Sequence, residues 1–167
     1  ICMYRFNGFT EKANNALNYS IESAENFGHT YVGSEHILLG LLKEGTGVAA
    51  VVLSELGIND SELENIIRAE IGVGSRTSLS TGDFTPRTKR ILQMAVMQAA
   101  TLGHNYVGTE HLLIAIIEES DSYAVRFLNE MGTSAKAILE KLNSTMGDYE
   151  AEDVKFSQNG GVGHKPG

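Results

Sequence analysis

One stretch of this chain occurs twice, and this duplication constrains the fold more than any other feature. Residues 28–40 read Gly-His-Thr-Tyr-Val-Gly-Ser-Glu-His-Ile-Leu-Leu-Gly, and residues 103–115 read Gly-His-Asn-Tyr-Val-Gly-Thr-Glu-His-Leu-Leu-Ile-Ala. The offset is 103 − 28 = 75 residues. It carries further pairs onto each other: Phe9 onto Phe84, Thr10 onto Thr85, and Gly57 onto Gly132. Self-similarity at a fixed offset indicates two copies of one structural unit.

Each copy carries the start and stop signals of four helices. In the first copy Thr10 is a good N-cap, apolar residues recur at helical spacing as far as Phe27, and Gly28 ends the helix. Nothing alternates with period two, so no sheet is expected. The prediction is an all-α fold of eight helices, built as two four-helix repeats about a pseudo-twofold axis. The predicted helices span about 10–27, 34–44, 48–56, 60–71, 86–102, 109–119, 122–131 and 134–146.

The same signals divide the chain into five parts. They are an N-terminal segment (1–8), repeat 1 (9–72), a linker without periodicity (73–83), repeat 2 (84–147) and an acidic, glycine-rich tail (148–167). Phe9 and Phe84 precede the two caps, but the positions that would complete a hydrophobic staple hold Asn14 and Lys89. We therefore expect the two phenylalanines to pack between the repeats or to line a groove.

Composition excludes several classes of protein. The formal net charge is −8, which argues against a nucleic-acid partner. No apolar run approaches the ~20 residues of a membrane span, so no membrane partner is expected. The chain has 1 cysteine, Cys2, and no secretory signal is visible, which favours a reducing, cytoplasmic location.

The four histidines of the repeated motif raise the question of a metal site. His29 and His36, and likewise His104 and His111, lie beside a glutamate in each copy. A metal-dependent hydrolase is the remote alternative, because imidazole and carboxylate are common ligands. No His-Glu-x-x-His pattern is present, and adjacent residues on a helix point apart. We favour histidines that hydrogen-bond the loop backbone, with no metal, no cofactor and no catalytic residue.

Glu35 and Glu110 are the polar pair of greatest interest. Each follows a Ser or Thr that is expected to cap a helix, and so occupies the first helical position. One interpretation is compensation of the helix dipole, which contributes about 0.3–1 kcal/mol. The other is a ligand site in which the carboxylate accepts a guanidinium group and the helix starts at Thr10 and Thr85 attract a phosphate. Spacing alone does not show which threonine approaches which glutamate.

The repeated Gly-His-x-Tyr-Val-Gly-Ser/Thr-Glu-His motif, preceded by Phe-Thr-Glu-Lys-Ala and Phe-Thr-Pro-Arg, resembles the double Clp repeat. Over residues 4–147 the chain is similar to the amino-terminal domain of a ClpC-type ATPase, the unfoldase partner of the ClpP protease. The resemblance implies a non-enzymatic domain that selects unfolded or arginine-phosphorylated substrates and docks adaptors such as MecA. ATPase rings outside this sequence would then deliver the substrates to ClpP.

The resemblance also implies two phosphoarginine sites. Glu35 and Glu110 would engage the guanidinium group, and Thr10 and Thr85 would lie near the phosphate. The alternative is an adaptor-docking module without phosphoarginine binding, in which the two glutamates only stabilise helix ends. The ligand interpretation needs an open cavity beside the carboxylates.

Two departures from the family pattern affect these expectations. Ser34 stands where the family usually has threonine, which is a mild change at a cap. Residues 119–123 read Glu-Ser-Asp-Ser-Tyr in place of a glycine-bearing loop. We expect Asp121 to weaken anion binding nearby, and the two sites to be unequal.

Overall fold

The structure is a computed structural model of the chain, and it describes residues 3–148. The prediction of an all-α fold with eight helices is confirmed over these residues. They are α1 (Glu11–Phe27), α2 (Ser34–Glu44), α3 (Val48–Glu55), α4 (Asp60–Glu70), α5 (Pro86–Thr101), α6 (Thr109–Ile117), α7 (Tyr123–Glu130) and α8 (Ala135–Asp148). The predicted tail, from residue 149 onwards, lies outside the described residues.

Helices α2 and α6 form the centre of a core that both repeats share. Helix α2 contacts α1, α3 and α4 of its own repeat and α5, α6 and α7 of the other, and α6 also contacts helices of both repeats. Every residue of α6 is buried, as is α2 from Ser34 to Leu41. Gly40 allows α1 to approach α2 closely, since a Cβ atom there would lie 2.2 Å from the Ala16 carbonyl oxygen. Four short helices bury too little surface alone, so the repeats stabilise each other.

Two short backbone contacts join the repeats symmetrically. Phe9 forms a parallel bridge with Val107, and Phe84 forms the equivalent bridge with Val32. Matching hydrogen bonds flank them: Thr10 N–H to Val107 O at 2.9 Å, Val107 N–H to Gly8 O at 2.9 Å, Thr85 N–H to Val32 O at 3.2 Å, and Val32 N–H to Asp83 O at 2.9 Å. The segment that leads into α1 or α5 therefore lies on the histidine-containing turn of the opposite repeat.

The rings of Phe9 and Phe84 lie between the repeats. They are 9% and 5% exposed, and Phe6 contacts both, stacked on Phe84 at 6.1 Å and edge-on to Phe9 at 6.2 Å between centroids. The alternative in which Phe9 and Phe84 line an open groove is therefore wrong. Burial of the Phe9 and Phe84 rings at the junction, with the partly buried Phe6 packed on both, explains why these positions need no staple partner.

The predicted linker is held against repeat 1. Its backbone bonds the end of α1 through Gly74 N–H to Phe27 O at 2.8 Å and Thr77 N–H to Glu25 O at 3.1 Å. Leu79 is buried, and its N–H donates to the Glu25 carboxylate at 2.8 Å. A 3₁₀ turn at Thr81–Asp83 then leads into α5. These contacts fix the start of α5, which matters for the site below.

Within residues 3–148, no single helix is long and apolar enough to cross a membrane. The pair α2 and α3 reaches the required length and composition only when taken together across a 92° bend.

Candidate ligand-binding site

Glu35 and Glu110 occupy the second helical position of α2 and α6, not the first. The N-caps are Gly33 and Gly108, so Ser34 and Thr109 lie inside their helices. The sequence-based assignment of Ser34 as the cap is wrong by one residue, because Gly33, which has no capping side chain, takes the cap position and the N3 side chain, His36, bonds its backbone instead. His36 Nδ1 accepts the Gly33 N–H at 2.9 Å, and the same bond recurs in repeat 2.

The hydroxyl groups of Ser34 and Thr109 instead reach into the opposite repeat. Ser34 Oγ accepts the Ala124 N–H in the first turn of α7 at 3.2 Å. Thr109 Oγ1 accepts the Ala49 N–H in the first turn of α3, also at 3.2 Å. Each hydroxyl satisfies an amide that a helix start leaves without an intrahelical partner. The start of a central helix and the start of a helix from the other repeat therefore meet at each glutamate.

Three helix N-termini converge around Glu35. Besides α2, they are α5, which is capped by Thr85, and α7, which is capped by Ser122. Between them lies an open cavity of about 430 Å³. Its lining, here called the Glu35 site, comprises Tyr31, Gly33, Ser34, Glu35, Thr85, Pro86, Arg87, Asp121, Ser122, Tyr123 and Arg126. Helix N-termini carry positive partial charge and unpaired amides, so this cavity suits an anion beside the carboxylate.

The predicted site residues pair across the repeats. Thr85 lines the cavity with Glu35, whereas Thr10 bonds the Val107 carbonyl, three residues before Glu110. Repeat 1 thus supplies the acid and repeat 2 the threonine of the Glu35 site. The Glu110 site, defined as Glu110 with Thr10 and the residues equivalent to those above, has the reverse composition.

The carboxylate of Glu35 is buried at the base of this cavity. The residue is 1% exposed, and Tyr31 donates its hydroxyl to Glu35 Oε2 at 3.0 Å. Burial raises the pKa of Glu35, and burial together with the Glu35 charge raises the pKa of Tyr31. Glu110 is 0% exposed. A cation that reached Glu35 would offset part of the desolvation cost of its charge.

The two histidines of repeat 1 form a chain of hydrogen bonds behind the glutamate. Because the Gly33 N–H donates to His36 Nδ1, the proton of a neutral His36 is on Nε2, which faces His29 Nδ1 at 2.8 Å. His29 Nε2 then donates to the Gly72 carbonyl at 2.8 Å. Burial, with a smaller effect of His29, lowers the pKa of His36 to about 3. The 4.0 Å approach of His36 to Glu35 is therefore no ion pair.

Repeat 2 brings the same groups together in a way that does not suit a metal. His104, Glu110 and His111 offer ligand atoms within 4.8 Å of one another. His111 Nδ1 accepts the Gly108 N–H at 2.8 Å, and His111 Nε2 lies 2.7 Å from His104 Nδ1. Two nitrogens on one tetrahedral zinc ion would lie about 3.4 Å apart, given Zn–N bonds of about 2.1 Å. The spacing is that of a hydrogen bond, and it supports the backbone-bonding interpretation of these histidines.

Sequence reasoning missed the cations of the Glu35 site. Arg87 Nη1 donates to Asp121 at 2.6 Å and to Glu119 at 3.4 Å. The Arg87 guanidinium holds the pKa of Asp121 below its usual range. Arg126 bonds Glu70 at 2.6 Å and lies 5.5 Å from the Tyr123 ring centroid. Arg87 could have been found, because it directly follows the Thr85-Pro86 start of α5.

Comparisons with known proteins identify the relatives of this chain. A family model described as the Clp repeat (R) N-terminal domain matches residues 8–131 and 83–160. Chloroplastic chaperone protein ClpC2 from Arabidopsis thaliana is 42% identical over 93% of the chain and 16% of its own length. The negative regulator of genetic competence ClpC/MecB from Bacillus subtilis is 39% identical over 87% of the chain and 18% of its own length.

Solved structures show the same fold. The N-terminal domain of ClpD from Arabidopsis thaliana matches with a TM-score of 0.70, at 24% identity, over 88% of this chain and 99% of that one. A ClpV N-domain in complex with a VipB peptide matches with a TM-score of 0.60, at 19% identity, over 80% of this chain and 88% of that one. The chain spans less than a fifth of the two sequence relatives named above.

Proposed function

The chain belongs to the Clp repeat N-terminal domain family, and we propose that it binds arginine-phosphorylated proteins at two related sites. An N-terminal repeat domain of this family is not the ATPase module, so the chain itself is not an enzyme. In this proposal it selects substrates and docks adaptors such as MecA for a ClpC-type unfoldase in the cytoplasm. ClpP would degrade what the unfoldase delivers.

One observation carries the proposal: a buried carboxylate faces two helix N-termini across an open cavity. A guanidinium group matches a carboxylate through paired, charge-assisted hydrogen bonds, which Glu35 can accept. The phosphate of the same ligand would then lie toward the first turns of α5 and α7, where amides and the Thr85 hydroxyl are located. Phosphoarginine carries both groups at a fixed short separation, whereas arginine and phosphate each satisfy only half of the site.

The burial of Glu35 makes pH part of the proposal. Because burial raises its pKa, the empty site binds a proton more readily than an exposed glutamate does. A guanidinium ligand favours the ionised carboxylate and displaces that proton. Affinity for phosphoarginine should therefore weaken as the pH falls through the pKa of Glu35.

Relatives lend general support to peptide recognition. The ClpV N-domain, which shares the fold, was solved in complex with a VipB peptide. At 19% identity that likeness concerns the fold and not the residues of the site.

Calorimetry with free phosphoarginine tests the proposal. The parent chain should bind two equivalents, and Glu35→Gln or Glu110→Gln should each leave one, because the amide cannot pair with a guanidinium charge. Glu62→Gln is the matched control, since Glu62 lies in the first turn of α4 and is exposed. Arginine and inorganic phosphate should bind more weakly than phosphoarginine. Unchanged binding by both site variants would refute the assignment.

The adaptor-docking alternative is favoured by the low exposure of the two glutamates, 1% and 0%. It predicts that the parent chain binds an adaptor but not phosphoarginine. It also predicts that the Gln variants bind that adaptor as tightly as the parent does. Adding an adaptor titration to the same series separates the two functions.

A further inference from the structure

We propose that Asp121 is an affinity-determining residue of the Glu35 site, where its carboxylate competes with the phosphate of a ligand for Arg87. This inference rests on the proposed function, and it adds that the two sites discriminate differently between phosphorylated and unmodified arginine. The Glu35 site is the weaker one for a phosphate-bearing ligand, and the Glu110 site is the stronger.

Asp121 lies at the mouth of the cavity, in the loop between α6 and α7. Its side chain is 81% exposed, yet its Oδ1 lies 2.6 Å from Arg87 Nη1. Arg87 is the second residue of α5, so its guanidinium projects from one of the helix starts that would attract the phosphate. A phosphate that approaches α5 therefore meets Arg87 already paired with the carboxylate of Asp121.

A second acid completes the neutralisation. Glu119 bonds Arg87 at 3.4 Å and Arg90 at 2.9 Å. The cluster of Arg87, Arg90, Glu119 and Asp121 thus contains two cations and two anions. Removing the charge of Asp121 alone would leave this cluster with a net charge of +1 beside the first turn of α5, whereas the cluster as it stands is neutral.

The equivalent residues of the Glu110 site make different contacts. The 75-residue offset places Lys12 at the position of Arg87, Thr46 at that of Asp121 and Glu44 at that of Glu119. Lys12 Nζ donates to the neutral Thr46 carbonyl at 3.3 Å. Glu44 accepts the N–H groups of Thr46 and Gly47, at 3.0 and 2.7 Å, in its own loop. The described contacts of Lys12 therefore leave its charge available to a ligand.

The Asp121–Arg87 pair is weak enough to exchange. Ion pairs with an exposed partner contribute little to stability because water and salt screen them. A ligand phosphate can therefore replace Asp121, at the cost of breaking this pair and of repulsion from the displaced carboxylate. We expect Asp121→Asn to tighten phosphoarginine binding at the Glu35 site by roughly three- to tenfold.

Calorimetry on the full chain isolates each site. In a Glu110→Gln background, Asp121→Asn should tighten phosphoarginine binding, while affinity for unmodified arginine stays level or falls. Glu118→Gln removes a charge from an exposed acid three residues earlier, and it should change the affinity for either ligand less than Asp121→Asn does. In a Glu35→Gln background, Thr46→Asp should weaken phosphoarginine binding relative to the neutral Thr46→Asn. Thermal unfolding of each variant checks that the fold is retained.

The ratio of the affinities for phosphoarginine and for unmodified arginine decides the outcome, because a merely structural role of Asp121 would change both affinities together. An unchanged ratio in Asp121→Asn overturns the inference. If no variant binds phosphoarginine, the proposed function fails, and a titration with inorganic phosphate followed by NMR at Arg87 Nε–H still tests the competition. Tighter phosphate binding by Asp121→Asn would support it, and equal binding would overturn it.

Discussion

The Glu35 and Glu110 sites share one backbone frame and differ in the side chains at the mouth. The Glu35 site has two arginines there, Arg87 and Arg126, together with Asp121. The Glu110 site has smaller or less charged residues at the equivalent positions: Lys12, Val51 and Thr46. What is the same in both is what the pseudo-twofold packing requires, namely the glycine cap, the hydrogen-bonded histidine pair and the threonine that the opposite repeat supplies. What differs lies where packing imposes no constraint, so ligand preference can change there without loss of the fold.

The largest expected effect tests whether the sites are built across the repeats. Glu35→Gln with Thr85→Ala should damage one site twice and leave one equivalent of phosphoarginine bound at the parental affinity. Glu35→Gln with Thr10→Ala should damage both sites, so the remaining binding weakens by about 10-fold or more, since a hydrogen bond to a charged group contributes about 1.5–3 kcal/mol. Titration calorimetry measures both. The reverse pattern would show that each threonine serves its own repeat.

The next effect concerns the hydrogen-bonded histidines behind the Glu35 site. The pKa of His36 is about 3 in the folded state against 6.5 in the unfolded chain, so the unfolded state takes up a proton first as the pH falls. The part of the free energy of unfolding that the neutral His36 contributes is fully present above pH 6.5 and is lost as the pH falls toward 3. The loss between pH 7 and pH 5 is about 2 kcal/mol. Urea unfolding of the parent and of His36→Gln should show their difference shrinking over that range. A constant difference would contradict a buried neutral histidine.

A smaller effect should separate the position of the carboxylate from its presence. A Cβ atom at Gly33 would lie 2.7 Å from Glu35 Oε1, so Gly33→Ala must displace the carboxylate while keeping its charge. We expect roughly tenfold weaker binding at the Glu35 site, equivalent to about 1.4 kcal/mol, and no change at the Glu110 site. Calorimetry in a Glu110→Gln background measures the first, and a Glu35→Gln background gives the second. Equal affinity with alanine would mean that the carboxylate position does not matter.

The smallest effect distinguishes a ligand site from a helix-stabilising charge by its sign. Burial raises the pKa of Glu35, so the folded state binds the proton more tightly and loses stability as the pH rises through that pKa. Glu35→Gln should therefore increase the free energy of unfolding at neutral pH. A charge that only compensates the helix dipole would instead cost about 0.3–1 kcal/mol when removed. Chemical denaturation at pH 7.5, with Glu62→Gln as the control for a dipole-only acid, decides between them.

The repeat in the sequence was enough to predict the eight helices. It also singled out Glu35, Glu110, Thr10 and Thr85 as candidates, and their role in binding a ligand stays a prediction. It could not predict how they pair, because an offset of 75 residues is the same whether a threonine serves its own repeat or the other one. The caps were assigned one residue late, since serine and threonine are stronger capping signals than glycine. Here a histidine three residues after Gly33 accepts the Gly33 N–H, which is the reverse half of a capping box and leaves no serine or threonine signal at the cap itself.

Other features of the Glu35 site left no signal in the repeat. Tyr123 and Arg126 are equivalent to Val48 and Val51, so comparing the two repeats shows only that these positions differ. Their approach to the cavity depends on the crossing of α7 over the start of α2, which the Ser34 hydroxyl fixes. Contacts between distant segments of this kind follow from packing and not from local pattern.

The paired backbone bridges have a consequence for how such a protein can arise. A single repeat would contain one glutamate and one threonine but could complete no pocket from them, whereas two identical copies would complete two. The molecule thus has the form of a homodimer whose subunits have been joined end to end by residues 73–83. In a true homodimer every substitution appears in both pockets at once. Fusion removes that restriction, and an aspartate can then enter one pocket while its twin retains threonine.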